Sequence, residues 1–274
     1  MAGDLAVVFD VAGTMLEMYR VAKDISRDNL LRGVVTTDLV MEKDGRALVV
    51  PNLDPVEIMT ASPHTALGAF VTERGNGIKI SCSSTPVSEE DACSILLRSE
   101  AKMADLQESL AEVCAHGPPF YCTTGVIVDA DEGEVSYAIS TGGRPFAGLE
   151  DVLGELLNMG ADIYVASGDS MRSLSRLTRC RGICQDCIYP VSTPKRKKEI
   201  VLSLKEDHGL VVMVGDGLND RYALQVADIG LLTVQQDTHP PAELIRAADR
   251  IINKIDEIPR IIEDALYGSR SGTW

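Results

Sequence analysis

The 274-residue chain has no uninterrupted apolar run of the ~18 or more residues that a membrane-spanning helix needs, so no membrane span and no membrane partner is expected. Positive charge is scarce. The 26 lysines and arginines face 41 aspartates and glutamates, a net charge of −15. That balance disfavours nonspecific binding to nucleic acid, so no nucleic-acid partner is expected either. The basic run Lys195-Arg196-Lys197-Lys198 is short and reads as a solvated helix start carrying one functional lysine. No sequence repeat or low-complexity segment stands out. Met1-Ala2-Gly3-Asp4 leads straight into the first apolar run and leaves no room for a signal peptide, so a cytoplasmic enzyme is expected. Nothing in the composition fixes an oligomeric state.

What is present is a set of short motifs, each at the end of an apolar run or the start of a helix. Leu5-Ala6-Val7-Val8-Phe9 delivers Asp10, and Gly13 and Thr14 then turn the chain. Such a run reads as a buried parallel strand. Open α/β sheets place chemistry at the carboxyl ends of their strands, where Asp10 falls. Taken alone, Asp10 reads equally well as an aspartate that starts a turn. A second strand, Ala161 to Ala166, ends in Ser167-Gly168-Asp169, whose hydroxyl and backbone N–H groups suit a phosphoryl oxygen. Pro194 opens a helix that carries Lys197, a cation suited to a transferring phosphoryl group. A third strand, Leu210 to Val214, ends in Gly215-Asp216-Gly217-Leu218-Asn219-Asp220. Asp10 and Asp216 together offer the oxygen ligands that a hard cation such as Mg²⁺ takes.

Between Thr14 and about residue 140 the core pattern is interrupted. Strands are expected over Gly33 to Val40 and Ala47 to Val50, joined by the turn Lys43-Asp44-Gly45. A second hairpin is expected over Leu67 to Thr72 and Ile78 to Cys82, turning at Gly75-Asn76-Gly77. One long helix follows, capped by Ser88 and ending near His116-Gly117-Pro118. Strands around Gly125 to Asp129 and Val135 to Ile139 complete an inserted α+β cap domain. The expected fold is therefore α/β: a core of residues 1–18 and 140–274 with a parallel sheet, and a cap of residues 19–139. The tail Gly268 to Trp274 is small and polar and is expected to fray.

The order of motifs resembles the haloacid dehalogenase superfamily, and within it the phosphorylation domain of P-type ATPases. Val214-Gly215-Asp216-Gly217-Leu218-Asn219-Asp220-Arg221-Tyr222-Ala223-Leu224 is similar to the TGDGxNDxxAL string of the pumps. Ala227-Asp228-Ile229-Gly230-Leu231, Ala247 to Ile252 and Arg144-Pro145 fit the same template. The resemblance covers residues 4–18 and about 134–267. It implies a Rossmann-like core and a Mg²⁺-dependent hydrolase acting on a small phosphorylated molecule through an aspartyl-phosphate. By the resemblance Asp10 is the nucleophile. Asp10, the Ala12 carbonyl and Asp216 ligate Mg²⁺. Thr14, Ser167, Gly168 and Asn219 contact phosphoryl oxygens. Lys197 balances charge, and Asp220 orients Lys197 or a metal-bound water. The transport helices of the pumps are absent.

Ala12 departs from the phosphatases of the superfamily, which place a general acid–base aspartate there. Asp10-Val11-Ala12-Gly13-Thr14 matches the Asp-x-Ala-Gly-Thr motif of phosphonoacetaldehyde hydrolases, whose Schiff-base lysine Lys23 or Lys43 would have to supply. The alternatives are thus a phosphonatase-like carbon–phosphorus hydrolase and a catalytically weak phosphate-binding or regulatory protein. Ser62-Pro63-His64 and Gly75-Asn76-Gly77 faintly resemble nucleotide-contacting signatures of heavy-metal pumps, but read more simply as a loop and a hairpin turn. Of the seven cysteines, Cys180, Cys184 and Cys187 have a C-x3-C-x2-C spacing that suits an iron–sulfur cluster or zinc, or else are reduced thiols.

Overall fold

A computed structural model describes residues 4–74, 77–117, 121–168, 174, 177, 179, 180, 182–236 and 239–267. The expected turn at Gly75-Asn76, Asp169 and the tail from Gly268 lie outside the described residues. The chain starts with β1 (Leu5–Phe9). It then runs through β2 (Leu16–Asp24), β3 (Asn29–Arg32), β4 (Arg46–Pro51), β5 (Ile78–Ser83), β6 (Tyr121–Asp129) and β7 (Glu134–Pro145). It returns with β8 (Ala161–Ala166), β9 (Ile188–Tyr189), β10 (Leu210–Gly215), β11 (Ile229–Thr233) and β12 (Arg250–Ile252). Two compact units result, residues 1–18 with 144–274 and residues 19–143.

The first unit holds a parallel sheet in the order β12-β11-β10-β1-β8-β9. All five residues of β1 are buried, as its unbroken apolar sequence requires of a strand covered on both faces. The strand order reverses at β1: β8 lies on one side and β10 on the other. A crevice opens at the carboxyl ends of strands at such a reversal. Asp10 extends the β1–β10 ladder by one bond, its N–H donating to the Val214 carbonyl at 2.9 Å. Asp216 follows the end of the neighbouring strand, so the reversal itself brings the two carboxylates together.

The second unit holds an antiparallel sheet in the order β3-β2-β7-β6-β4-β5. Three expectations for it are corrected. Thr36–Met41 is a helix, because Leu39 and Val40 are needed to cover Ala22, Ile127, Tyr137 and Ile139 on one side of the sheet. Leu67–Glu73 is a helix too. Leu67, Phe70 and Val71 recur at three- and four-residue spacing and join the main core of this unit. The single long helix is two, Glu89–Arg98 and Met103–Ala115. Ser88 caps the first, its Oγ accepting the Asp91 N–H at 3.0 Å. The break is made by extended backbone: the Leu67 N–H donates to the Ala101 carbonyl and the Met103 N–H to the Thr65 carbonyl, both at 2.9 Å. Ser62, Pro63 and His64 are exposed loop residues.

No helix among the described residues is long and apolar enough to cross a membrane.

Candidate active site

Asp10, Lys197 and Asp220 meet in the interior. Lys197 sits on the helix Pro194–Asp207, whose N-cap Thr193 accepts the Arg196 N–H and whose Pro194 fills the first turn. Its side chain is fully buried, with Nζ donating to Asp10 Oδ1 at 2.5 Å and to Asp220 Oδ1 at 2.7 Å. Asp220 is also fully buried, and its other oxygen accepts the N–H groups of Asp216 (3.2 Å) and Gly217 (3.1 Å). Asp220 thus ties the lysine to the loop that carries Asp216.

Burial, and after it the charge of Asp220, pushes the Asp10 carboxyl up to about 7, with Lys197 acting against both. Burial pulls the Lys197 ammonium down, but Asp10 and Asp220 outweigh it and its pKa rises. Lys197 keeps its proton, because Nζ lies within hydrogen-bond distance of both carboxylates.

One ligand-capable oxygen from each of Asp10, Asp216 and Asp220 lies within 4.8 Å of the others. Asp220 is a poor ligand despite this, since its oxygens already accept from Lys197 and from two backbone N–H groups. The pair left to face a cation is Asp10 and Asp216. Gly13 fits the turn against that pair. It adopts φ +79°, and a Cβ there would fall 1.9 Å from Asp216 Oδ2. Only glycine combines that backbone with that approach. Thr14 follows, buried, and its Oγ1 has no hydrogen-bond partner in the structure. A buried hydroxyl without a partner, two residues from the Asp10-Val11-Ala12 turn, can accept a hydrogen bond from a ligand or donate one to it.

The remaining expected residues are placed as follows. Ser167 is buried at the end of β8, and Gly168 beside it is exposed. Asn219 is exposed on the short turn Leu218–Asp220. Ala12 is half-buried between Asp10 and Gly13 and bridges to Leu16. The cysteine triplet does not converge as a metal centre. Cys184 and Cys187 are joined as a disulfide. Cys180 is buried, its thiol pushed up to about 12 by burial and then by Glu150. Lys23 is held by Asp28 and Glu108, and Lys43 by Asp129 and Glu132, all within the second unit.

A family model of haloacid dehalogenase-like hydrolases matches residues 5–228. The chain belongs to that family. A curated relative of this hydrolase, the "Soluble P-type ATPase-like phosphatase" of Methanocaldococcus jannaschii, is 29% identical over 269 residues, covering 98% of this chain and 96% of the relative. The cadmium/zinc-transporting ATPase HMA2 of Arabidopsis thaliana is 35% identical over 85 residues, 31% of this chain and 9% of the pump. Among solved structures, a phospho-aspartyl intermediate analogue of phosphoserine phosphatase covers 95% of this chain and 99% of its own, at 16% identity and a TM-score of 0.44.

Gln235 and Gln236 of this hydrolase escaped the motif reading. Gln235 Nε2 donates to the Thr14 carbonyl at 2.9 Å, while its Oε1 accepts the Ile255 N–H at 3.3 Å. Gln236 takes both backbone groups of Met18, accepting the N–H at 2.9 Å and donating to the carbonyl at 2.8 Å. The available signal was position: both follow the carboxyl end of β11, a strand of the sheet that carries the site. Gln235→Glu keeps the acceptor and sets a carboxylate against the Thr14 carbonyl. Urea unfolding is expected to show a loss of about 1–3 kcal/mol. A change below a few tenths would show that Gln235 does not hold the Thr14 turn.

Proposed function

We propose that this hydrolase is a Mg²⁺-dependent phosphatase that acts on a small phosphorylated molecule through an aspartyl-phosphate on Asp10. The observation that carries the reading is the buried Lys197 held between Asp10 and Asp220, next to Asp216. A lysine so placed lets a carboxylate approach an anionic phosphoryl group. The end-to-end similarity to a relative named as a phosphatase supports the same reading. The carboxylates of Asp10 and Asp216, the steric need for Gly13 and the unpartnered Thr14 hydroxyl suit a hard cation with a phosphoryl group beside it. Mg²⁺ held there by Asp10 and Asp216 would neutralise phosphoryl charge.

The chain's own residues account for the steps. The Asp10 carboxylate attacks phosphorus in line, and the bond to the leaving oxygen breaks. Thr14 Oγ1 and the Ser167-Gly168 end of β8 hold the phosphoryl oxygens, with Asn219 as a further contact. Lys197 offsets the charge that gathers on Asp10 and phosphate. Water then attacks phosphorus, and Asp10 leaves as the free carboxylate. The test is a panel of phosphorylated metabolites, acyl phosphates and nucleotides with Mg²⁺, reading released phosphate and acid-stable phosphoprotein together. Chelation of Mg²⁺ is expected to abolish both signals. Activity that persists in chelator removes the metal from the proposal.

Lys23 and Lys43 each sit between two carboxylates, which disfavours the free amine that a phosphonatase-like route needs. Ala12 favours slow turnover. General acid–base catalysis contributes on the order of 10²–10⁴ in rate, and a methyl group moves no proton. Phosphoenzyme is therefore expected to accumulate from a good leaving group such as an acyl phosphate. Ala12→Asp is expected to speed its hydrolysis, measured by single-turnover decay of labelled protein. If wild-type phosphoenzyme decays as fast as it forms and Ala12→Asp changes nothing, another group supplies the proton transfer.

A further inference from the structure

Cys184 and Cys187 are the two of the seven cysteines that the structure joins, and the reaction above makes no use of them. Cys184 is exposed and Cys187 half-buried, at the two ends of a tight turn closed by the Cys187 N–H donating to the Cys184 carbonyl at 3.2 Å. The next residue begins β9. That strand is two residues long, lies at the edge of the sheet and pairs with β8 through Val165–Ile188 and Ala166–Tyr189.

The segment behind the disulfide holds the backbone of Ser167. The Ser167 N–H donates to the Tyr189 carbonyl at 3.1 Å, and its carbonyl accepts the Ser192 N–H at 2.8 Å. Ser192 Oγ donates to the same Tyr189 carbonyl at 3.0 Å. Between them stands Val191, exposed and at φ 49°, a left-handed conformation that a β-branched residue rarely adopts. A two-residue edge strand next to a strained residue has little pairing of its own to resist opening. The covalent tie just upstream shortens the chain that is free to move.

We propose that Cys184 and Cys187 form a thiol–disulfide exchange site whose redox state sets how firmly β9 holds Ser167. The reductant is a dithiol, small or carried on a protein. One of its thiolates attacks Sγ of Cys184, the more exposed residue of the two, and the Cys184–Cys187 bond breaks. Cys187 leaves as a thiolate and takes up a proton. The second thiol of the reductant displaces Cys184 from the mixed disulfide, and Cys184 takes up the second proton. Two electrons have passed to the cysteine pair, and the reductant departs as its own disulfide. Exchange with a disulfide runs the same steps in reverse. The effect on catalysis rests on the proposed phosphoryl contact of Ser167, whereas the exchange site stands without it.

The test uses the full chain equilibrated in oxidised or reduced dithiothreitol. Alkylation with peptide mapping reads the cysteines, and hydrogen exchange reads the Ser167 amide. Hydrolysis of p-nitrophenyl phosphate with Mg²⁺ gives KM and kcat. Reduction is expected to expose Cys184 and Cys187 to alkylation and to speed exchange at Ser167. It should also raise KM on the order of 5-fold or more, with a smaller change in kcat. The double variant Cys184→Ser, Cys187→Ser is expected to match reduced protein in both buffers. Equal exchange at Ser167 in the two states overturns the proposal. So does a reduced protein that retains one zinc on Cys180, Cys184 and Cys187. If p-nitrophenyl phosphate is hydrolysed in neither state, the phosphatase reading is at fault, and alkylation and hydrogen exchange still decide the exchange site.

Discussion

Asp10→Asn is expected to form no phosphoenzyme and to lose on the order of 10⁴–10⁶ of turnover while the fold survives. The substitution keeps the shape and removes the attacking oxygen's charge. It should cost little stability for a specific reason. Burial already opposes the charge on Asp10, so a neutral amide is easier to bury than the carboxylate. Lys197 keeps Asp220 as its counterion. Labelled phosphate trapped on the protein, with urea unfolding in parallel, gives both readings. Turnover retained by a well-folded Asp10→Asn protein would remove the covalent mechanism.

Lys197→Met is expected to fail in both respects. It deletes the cation shared by two buried carboxylates and leaves Asp10 and Asp220 facing each other with no charge between them. Removing one partner from a buried ion pair costs about 3–5 kcal/mol, a large part of the stability of an ordinary domain. Phosphoenzyme should vanish as well, since an ionised Asp10 would no longer be balanced against an anionic substrate. Adding Asp220→Asn removes one of the stranded carboxylates. Urea midpoints should therefore show partial recovery of stability in the double variant without recovery of activity. A single Lys197→Met protein as stable as wild type would show that the carboxylates find protons or water at no cost.

The core was legible in the sequence because its strands are short, apolar and followed at once by the polar residues of the candidate site. Leu5 to Phe9 before Asp10, and Leu210 to Val214 before Asp216, read as buried strands without any tertiary information. Pro194 marked the helix that carries Lys197. The insert was harder, for two physical reasons. Thr36–Met41 and Leu67–Glu73 hold β-branched and aromatic residues whose local preference is for strands, and packing overrides it, of the first against β4 and β5 and of the second against the helix Glu89–Arg98. The break between Glu89–Arg98 and Met103–Ala115 comes from backbone bonds to Thr65 and Leu67, some 35 residues upstream, which no local pattern encodes. In the site, the residue types were visible but not their division of labour. Only the folded structure shows that both oxygens of Asp220 are taken, or that Gln235 holds the Thr14 turn.

Asp10 and Lys197 stand 187 residues apart in the chain. Translation adds about 5–20 residues per second, so on the order of ten seconds or more separate the emergence of the two. The insert, with its own apolar core, leaves the ribosome inside that interval. While the insert is being made β1 is an apolar strand with neither sheet neighbour yet present, since β8 and β10 both lie beyond the insert. Until those strands follow, the five apolar residues that later position Asp10 have no sheet partner to cover them, and a newly made chain offers them to aggregation or to a chaperone.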